Sequence, residues 1–385
     1  MKYIIISAFV IFTSCKKTED TKVSTQKEPN TTKVEELKPD LNKNYWHLEG
    51  KIGEIPVAME LTKQYSFNEA GGKDPNKTVF AGSYYYLSEQ KPIEFMQKDS
   101  VFVNNKLNLS AHPNRDYNHE EIFSGTFDGL TFKGNWTANG KTIPFELKET
   151  YVDNQMKFKY YGKSENIPYK KNTATFKEEL FASENNNLIN DSIRKIMYNG
   201  NTGDFNTLLQ NSYSDYAKSY QDDLQKFEKD FQEPSLTNNY STSSVFTPII
   251  NTGKRLAFEY SFYGYTGGAH GNGGVIYHNF DVDQNKFLAA ADIFKSNRAQ
   301  LNEMVNNAVH EKYKIPTGTP LTKSGREDVY FLVDKVPFTN NFILSKKGIT
   351  FVYNVYEVMP YAAGPYEIFI PYDKMKNDLQ PNFKY

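Results

Sequence analysis

The 385-residue sequence holds one cysteine, two tryptophans and six histidines, and its 45 basic residues are balanced by 46 acidic ones. A single cysteine excludes an intramolecular disulfide framework, so any fold must rest on its own cores. At roughly 100–200 residues per domain, this length implies two or three of them. The missing charge excess excludes the clustered basic face that phosphate neutralisation needs, and with it a nucleic-acid partner. With 24% charged and 38% hydrophobic residues, the composition fits neither wholesale disorder nor a multi-span membrane protein. Catalytic signatures are missing too. There is no Gly-x-Ser-x-Gly elbow, no His-x-x-x-His or His-Glu-x-x-His pair, and no doubled His/Asp set of the kind a sugar deacetylase uses. These gaps lead us to expect a protein that is not an enzyme and carries no cofactor.

What the sequence has in surplus is aromatic rings, 28 Tyr and 28 Phe, a content that favours β structure. The position of the lone Cys15 explains it. Lys2 supplies a positive start, residues 3–12 an apolar stretch too short to span a bilayer, and Thr13 and Ser14 the small residues before the cysteine. The arrangement resembles a bacterial lipoprotein signal, with Phe12 where leucine is more usual. The resemblance implies removal of residues 1–14 and acylation (palmitate) of Cys15. The chain would then reach the membrane through that lipid anchor and sit outside the cytoplasm, at the outer membrane or cell surface. The plainer reading is an ordinary secretory signal with an incidental cysteine. Residues 16–44 contain no aromatic at all and cannot bury enough apolar area to offset chain entropy, so residues 15–44 read as a lipidated, disordered tether. Lys16 to Asp20 look like the acidic export signals of Bacteroidetes surface lipoproteins, or like a plain solvated linker.

Residues 45–151 carry β-meander punctuation: Asp128-Gly129 and Asn139-Gly140 sit between alternating runs. Phe132, Gly134 and Trp136 share one face of a strand, and Ile143, Phe145 and Leu147 one face of the next. Further strands are expected at residues 55–61, 82–87, 93–96 and 101–109, the last around an Asn104-Asn105 turn, giving an antiparallel barrel-like domain of seven or eight strands. Its interior offers a reading as a carrier of a small apolar ligand, unless Phe132, Trp136 and Phe145 fill it. Gly134 through Gly140-Lys141-Thr142 has the wrong spacing, and a hairpin context, for a phosphate-binding loop. His112, Asp116, His119, Glu120 and Glu121 read as polar residues of a solvated loop.

In residues 152–385 the pattern becomes α+β, with an antiparallel sheet. Strands are expected at 156–161 and 174–181 and a short helix at 189–198. A longer helix follows, whose Tyr213, Tyr216, Tyr220, Leu224, Phe227 and Phe231 form a core-facing stripe ended by Pro234. Strands at 243–250, 254–264 and 275–283, a helix at 297–313 and strands at 342–344, 348–356 and 366–372 complete it. Gly264, Gly267, Gly268, Gly271, Gly273 and Gly274 crowd one passage, which implies positive φ or close approach of another segment.

That passage, Tyr265-Thr266-Gly267-Gly268-Ala269-His270-Gly271, is followed by Asp292-Ile293-Phe294 and by the block from Tyr356 through Glu357, Pro360, Tyr361, Ala362 and Ala363 to Gly364. Together they resemble the paired extracytoplasmic domains of unknown function found in the anti-sigma factor RsiV and in the non-catalytic part of the peptidoglycan deacetylase PdaC. The resemblance spans residues 152–385 and implies an α+β fold with helices on one side of the sheet. RsiV relatives bind lysozyme, so a lysozyme-like protein or cell-wall glycan (peptidoglycan) is the implied partner. No transmembrane anti-sigma segment and no deacetylase domain accompany the resemblance here.

The ligand-binding residues expected from these blocks are Tyr265, Thr266, Gly267, Gly268, His270, Asn272, Tyr356, Glu357 and Tyr361, aromatic rings offering contact area at low entropic cost. The competing reading is a metal-dependent envelope hydrolase, or an accessory to a polysaccharide deacetylase, with His270 and His278 as two metal legs; against it, His270 is expected to hydrogen-bond backbone in its turn. Asp281, Asp283, Asn285 and Asp292 match calcium-loop positions, but Lys286 stands where glycine is required, so a hairpin is expected. Glu357 is expected to be satisfied by backbone amides near residues 362–364.

Overall fold

Short alternating runs separated by turn residues produce β1 (Tyr45–Ile52), β2 (Ile55–Tyr65), β3 (Thr78–Tyr86), β4 (Ile93–Gln97), β5 (Lys106–Ala111), β6 (Glu121–Phe127), β7 (Thr131–Ala138) and β8 (Lys141–Glu149). Each pairs antiparallel with the next and β1 also pairs with β8, closing an eight-stranded barrel with no free edge. The computed structural model describes residues 37–67, 77–99, 101–116, 118–231, 239–326 and 328–385. The leader, Cys15, the tether up to residue 36 and Pro234 lie outside them.

Asn139 and Gly140 both take positive φ, 50° and 72°, as a two-residue hairpin that follows the strand twist requires. Gly134 is mid-strand opposite Gly125. A Cβ there would lie 2.0 Å from the Ser124 carbonyl oxygen, so its glycine serves close strand approach and not a phosphate cradle. The interior is filled with rings. Phe132 meets Phe145 at 4.7 Å, Phe145 meets Phe123 at 5.2 Å and Trp46 meets Phe127 at 5.1 Å between centroids. Trp136 is only half-buried, but the other rings occupy the space that a carried apolar ligand would need. The carrier reading therefore loses its chamber.

Residues 37–44 are held against the barrel although they read as tether. Lys43 Nζ lies 2.8 Å from the buried Glu149 carboxylate, and Lys63 Nζ donates to the Leu41 carbonyl at 2.7 Å. Residues 101–103 form no strand; Val103 makes only an isolated bridge to Lys106 across the Asn104-Asn105 turn.

The second half begins with β9 (Phe158–Tyr169) and β10 (Asn172–Ser183), then α1 (Asn187–Tyr198) and α2 (Phe205–Phe231). The cap of α1 is Asn186, whose side chain accepts from Leu188 and Ile189 N–H, three residues before the expected start. β11 (Ser241–Asn251), β12 (Arg255–Tyr265), β13 (Asn272–Asp281) and β14 (Lys286–Phe287) complete a six-stranded sheet in the order β14-β13-β12-β11-β10-β9. All its pairs are antiparallel except β10–β11, which the long α1–α2 crossover makes parallel. Tyr220 and Leu224 of α2 pack on Ile167, Ala174 and Phe176 of one sheet face. The opposite face, with Glu179 of β10 and Ile249 of β11, meets the barrel: Glu179 accepts from Tyr65 N–H at 2.7 Å and Ser83 Oγ donates to the Ile249 carbonyl at 2.6 Å.

A three-stranded sheet of β15 (Phe342–Leu344), β16 (Gly348–Tyr353) and β17 (Tyr366–Pro371) follows α3 (Ala290–Ile293) and α4 (Arg298–Tyr313). Leu301, Val305 and Val309 of α4 share a core with Ile349, Phe351 and Ile368. Asn297 caps α4 through the Gln300 N–H, with the Gln300 side chain accepting in return. Among the described residues, no helix is long and apolar enough to cross a membrane.

Candidate functional site

The glycine passage and the tyrosine block, about ninety positions apart in the chain, meet at the edge of β13. Asparagines make the junction. Asn354 Oδ1 accepts from Val275 N–H at 2.8 Å while its Nδ2 donates to the Val275 carbonyl at 3.1 Å, so a side-chain amide stands in for a missing neighbouring strand. Asn341 repeats the device on Tyr277 N–H at 2.9 Å, and Asn279 accepts from Leu344 N–H at 3.0 Å. Gly274 permits this approach: a Cβ there would sit 2.9 Å from the Asn354 amide and 3.1 Å from the Phe262 ring. Gly267 and Gly268 take φ of 101° and 94°, and a Cβ on Gly271 would lie 2.7 Å from the Gly264 carbonyl oxygen, but Gly264 itself has no positive φ and a Cβ on it would meet nothing within 4 Å.

Above this junction sits an open aromatic cluster. The His270 ring stacks on Tyr361 at 4.1 Å and 21°, and Tyr356 lies 5.7 Å from Tyr361. His270 Nδ1–H donates to the Gly271 carbonyl at 2.8 Å, which leaves Nε2 facing the Tyr356 hydroxyl at 3.4 Å. Tyr356 is 52% exposed and holds φ of 68°. A positive φ is costly for a bulky side chain, and such strain clusters at binding surfaces. The turn that imposes it is closed by Tyr356 N–H to the Met359 carbonyl at 3.0 Å. Tyr265 ends β12 and its hydroxyl donates to the Gly268 carbonyl at 3.0 Å, bracing the loop. Thr266 is exposed on that loop and Asn272 is exposed at the start of β13. Glu357 turns away from the rings and accepts from Asn354 N–H at 3.1 Å, so its amide partner precedes it instead of lying near residues 362–364.

The two histidines do not converge as metal legs. His278 lies between Phe246 and Phe287 with Nε2 buried and unpartnered, and burial pushes its pKa down to about 4. Among the described residues, no group of three or more His, Cys, Asp or Glu side chains is placed to hold a metal ion. The calcium-like run is a hairpin. Asp281 pairs with Arg255 and accepts from Gln284 N–H at 2.9 Å, Asn285 takes φ of 49°, and Asp292 is held by Lys286.

Sequence reasoning missed a second cluster, in the cleft between the barrel and the central sheet. Arg115 reaches Glu367 at 2.7 Å and Glu94 at 3.3 Å, and its Nη2 donates to the Tyr277 hydroxyl at 3.2 Å. That hydroxyl lies 2.9 Å from Glu94 and 3.2 Å from Glu259. One phenolic hydrogen cannot serve two carboxylates, so this geometry favours a proton on one of the two carboxyls. Burial, and then the charge of Glu94, hold the Glu259 carboxyl well above the usual range. Its one sequence signal is a charged residue between Phe258 and Tyr260, mid-strand in a sheet covered on both faces.

Residues 291–373 match the profile of DUF3298, a family described as protein of unknown function. Among solved structures the chain is similar to a member of that family from Bacteroides fragilis NCTC 9343, at 25% identity and a TM-score of 0.51 over 60% of this chain and 96% of that one. It is also similar to a DUF3298 protein from Pseudomonas aeruginosa PAO1, at 18% identity and a TM-score of 0.44 over 60% of this chain and 98% of that one. No curated protein matches. The shared likeness is thus to DUF3298, over a stretch that takes in α4, the three-stranded sheet and the Tyr356–Tyr361 loop, and it carries no assigned function.

Proposed function

We propose that the protein is a non-catalytic binding module of the cell envelope, anchored outside the cytoplasm through a lipid on Cys15. Its ligand site is the rim of His270, Tyr356 and Tyr361. The observation that carries the reading is the pre-assembled cluster of these three rings, His270 stacked on Tyr361 and the exposed Tyr356 beside it, with Tyr356 held in a strained backbone conformation. Rings already fixed in place lose little side-chain entropy when a partner lands on them, and their polar edges satisfy hydrogen bonds at the margin. The sequence resemblance to lysozyme-binding extracytoplasmic domains supports a lysozyme-like protein as the partner, with cell-wall glycan as the alternative that stacked rings also suit.

Retention of the purified chain on immobilised lysozyme and on peptidoglycan sacculi tests this. We expect retention on one of the two, and a loss of at least tenfold in affinity when Tyr356 and Tyr361 are both replaced by Ala. Retention on neither support, or retention that survives the double substitution, contradicts the proposal.

A further inference from the structure

The cleft between the barrel and the central sheet has a volume of about 440 Å³, inside the range of roughly 300–1,000 Å³ typical of small-molecule sites. Its walls come from β3 and β4 of the barrel, from β10, β11 and β12 of the sheet, and from β17. Lys91, Asn114, Thr350 and Glu367 also border a larger cavity of about 1060 Å³ beside α4, so the two meet there.

Three observations restrict what fits. The cations facing the cleft are already engaged: Arg115 by Glu94 and Glu367, Lys177 by Glu179 at 2.9 Å, and Lys91 by Asn114 at 2.6 Å and the face of Phe369. To gain a counter-ion from Arg115 or Lys177 an anion would have to break a partly desolvated ion pair, while Lys91, whose partners are neutral, stands at the border with the larger cavity. Next, Thr247 lines the cleft at 6% exposure, and its hydroxyl is buried without any hydrogen-bond partner. A buried hydroxyl left unpaired is costly, and it stands directly across from Glu259 in the β11–β12 register. Finally, Ser261 lies opposite Val245 in the same register, and the exposed Met96 lines the barrel side, so neutral polar groups alternate with apolar surface. Asn114 and Arg115, at the rim, both hold φ of 56°, unusual for arginine and a mark of a segment fixed in place.

We infer that this cleft binds a small, uncharged, polyhydroxylated molecule of monosaccharide to disaccharide size. Thr247, Glu259 and Ser261 hydrogen-bond its hydroxyls, and Met96 and Val245 cover its apolar face. This site is separate from the ring cluster around His270 and does not depend on it.

The test is calorimetric titration of the full chain with D-glucose, N-acetylglucosamine and N,N′-diacetylchitobiose, with glucuronate and glucosamine as charged counterparts. Saturable binding of at least one neutral sugar is expected, at least tenfold tighter than either charged one. Thr247→Val should weaken that binding at least tenfold while raising the melting temperature of the free protein, because it removes an unsatisfied hydroxyl without changing shape. That opposite movement separates a ligand contact from a structural role. Leu188→Ala, at an exposed position on α1 that lines neither site, should leave sugar binding unchanged. If no neutral sugar binds, if the charged sugars bind as tightly, or if Thr247→Val leaves affinity unaltered, the assignment is overturned.

Discussion

Replacing Glu60 by Ala is expected to destabilise the fold by about 3–5 kcal/mol, the range for removing one partner of a buried charge pair. Glu60 is fully buried in β2, where its carboxylate accepts from Tyr45 Oη at 2.6 Å and Tyr85 Oη at 2.8 Å and faces His47 Nδ1 at 2.9 Å. Asn251 of β11 extends the network, donating from Nδ2 to Tyr45 Oη at 3.0 Å and from its backbone N–H to Tyr85 Oη at 3.1 Å. One carboxylate therefore ties the barrel to the central sheet. Its loss strands a buried imidazolium and two phenols.

The same network makes stability pH-dependent. Burial by itself lowers the His47 pKa, but Glu60, and then Glu49, more than offset it and raise the value to about 9. A base whose folded pKa lies above its unfolded value contributes stability that is complete below about pH 6.5 and is lost as pH rises through about 9. The shift corresponds to about 3 kcal/mol. Urea unfolding of the wild type across this window should show a loss of that order, and His47→Gln should flatten the profile at a lower plateau. An unchanged slope in that variant would show that the pH dependence arises elsewhere.

Phe123→Ala should cost about 3–5 kcal/mol, since it deletes a fully buried ring and leaves a cavity that close-packed neighbours cannot refill. Phe123 contacts Tyr84 at 4.9 Å and Phe145 at 5.2 Å, and Phe145 in turn meets Phe132 at 4.7 Å, so its loss opens the middle of the ring ladder. Tyr330→Ala is the control, because that ring is 73% exposed. Surface substitutions of that kind usually stay within about 0.5 kcal/mol. Chemical denaturation of both variants checks the pair. Equal losses would mean that the barrel interior is less tightly filled than its ring contacts imply.

The barrel was largely legible because its signals are local: Asn139-Gly140 sets a hairpin, and Phe132, Phe145 and Leu147 alternate with polar neighbours. β1 escaped for a physical reason. His47 and Glu49 look like a solvent-facing edge, yet His47 is fully buried beside the Tyr151 ring and Glu60 neutralises its charge. The parallel pairing of β10 with β11 was also hidden, since nothing within either strand encodes the crossover geometry of α1 and α2. Both halves of the aromatic cluster were visible as glycine and tyrosine blocks. Their meeting depends on the Asn354 amide reading the backbone of Val275, a pairing across 79 residues with no local trace. The cleft was invisible for the same reason, as Glu94, Arg115, Glu259 and Glu367 come from four separate segments.

The two blocks are proposed to act as one binding surface. Hydrogen–deuterium exchange of the chain with and without whichever of lysozyme or solubilised peptidoglycan it retains tests that claim most directly. Protection should rise together in residues 265–272 and 354–364. Protection of one block alone, or binding that protects neither, would contradict it.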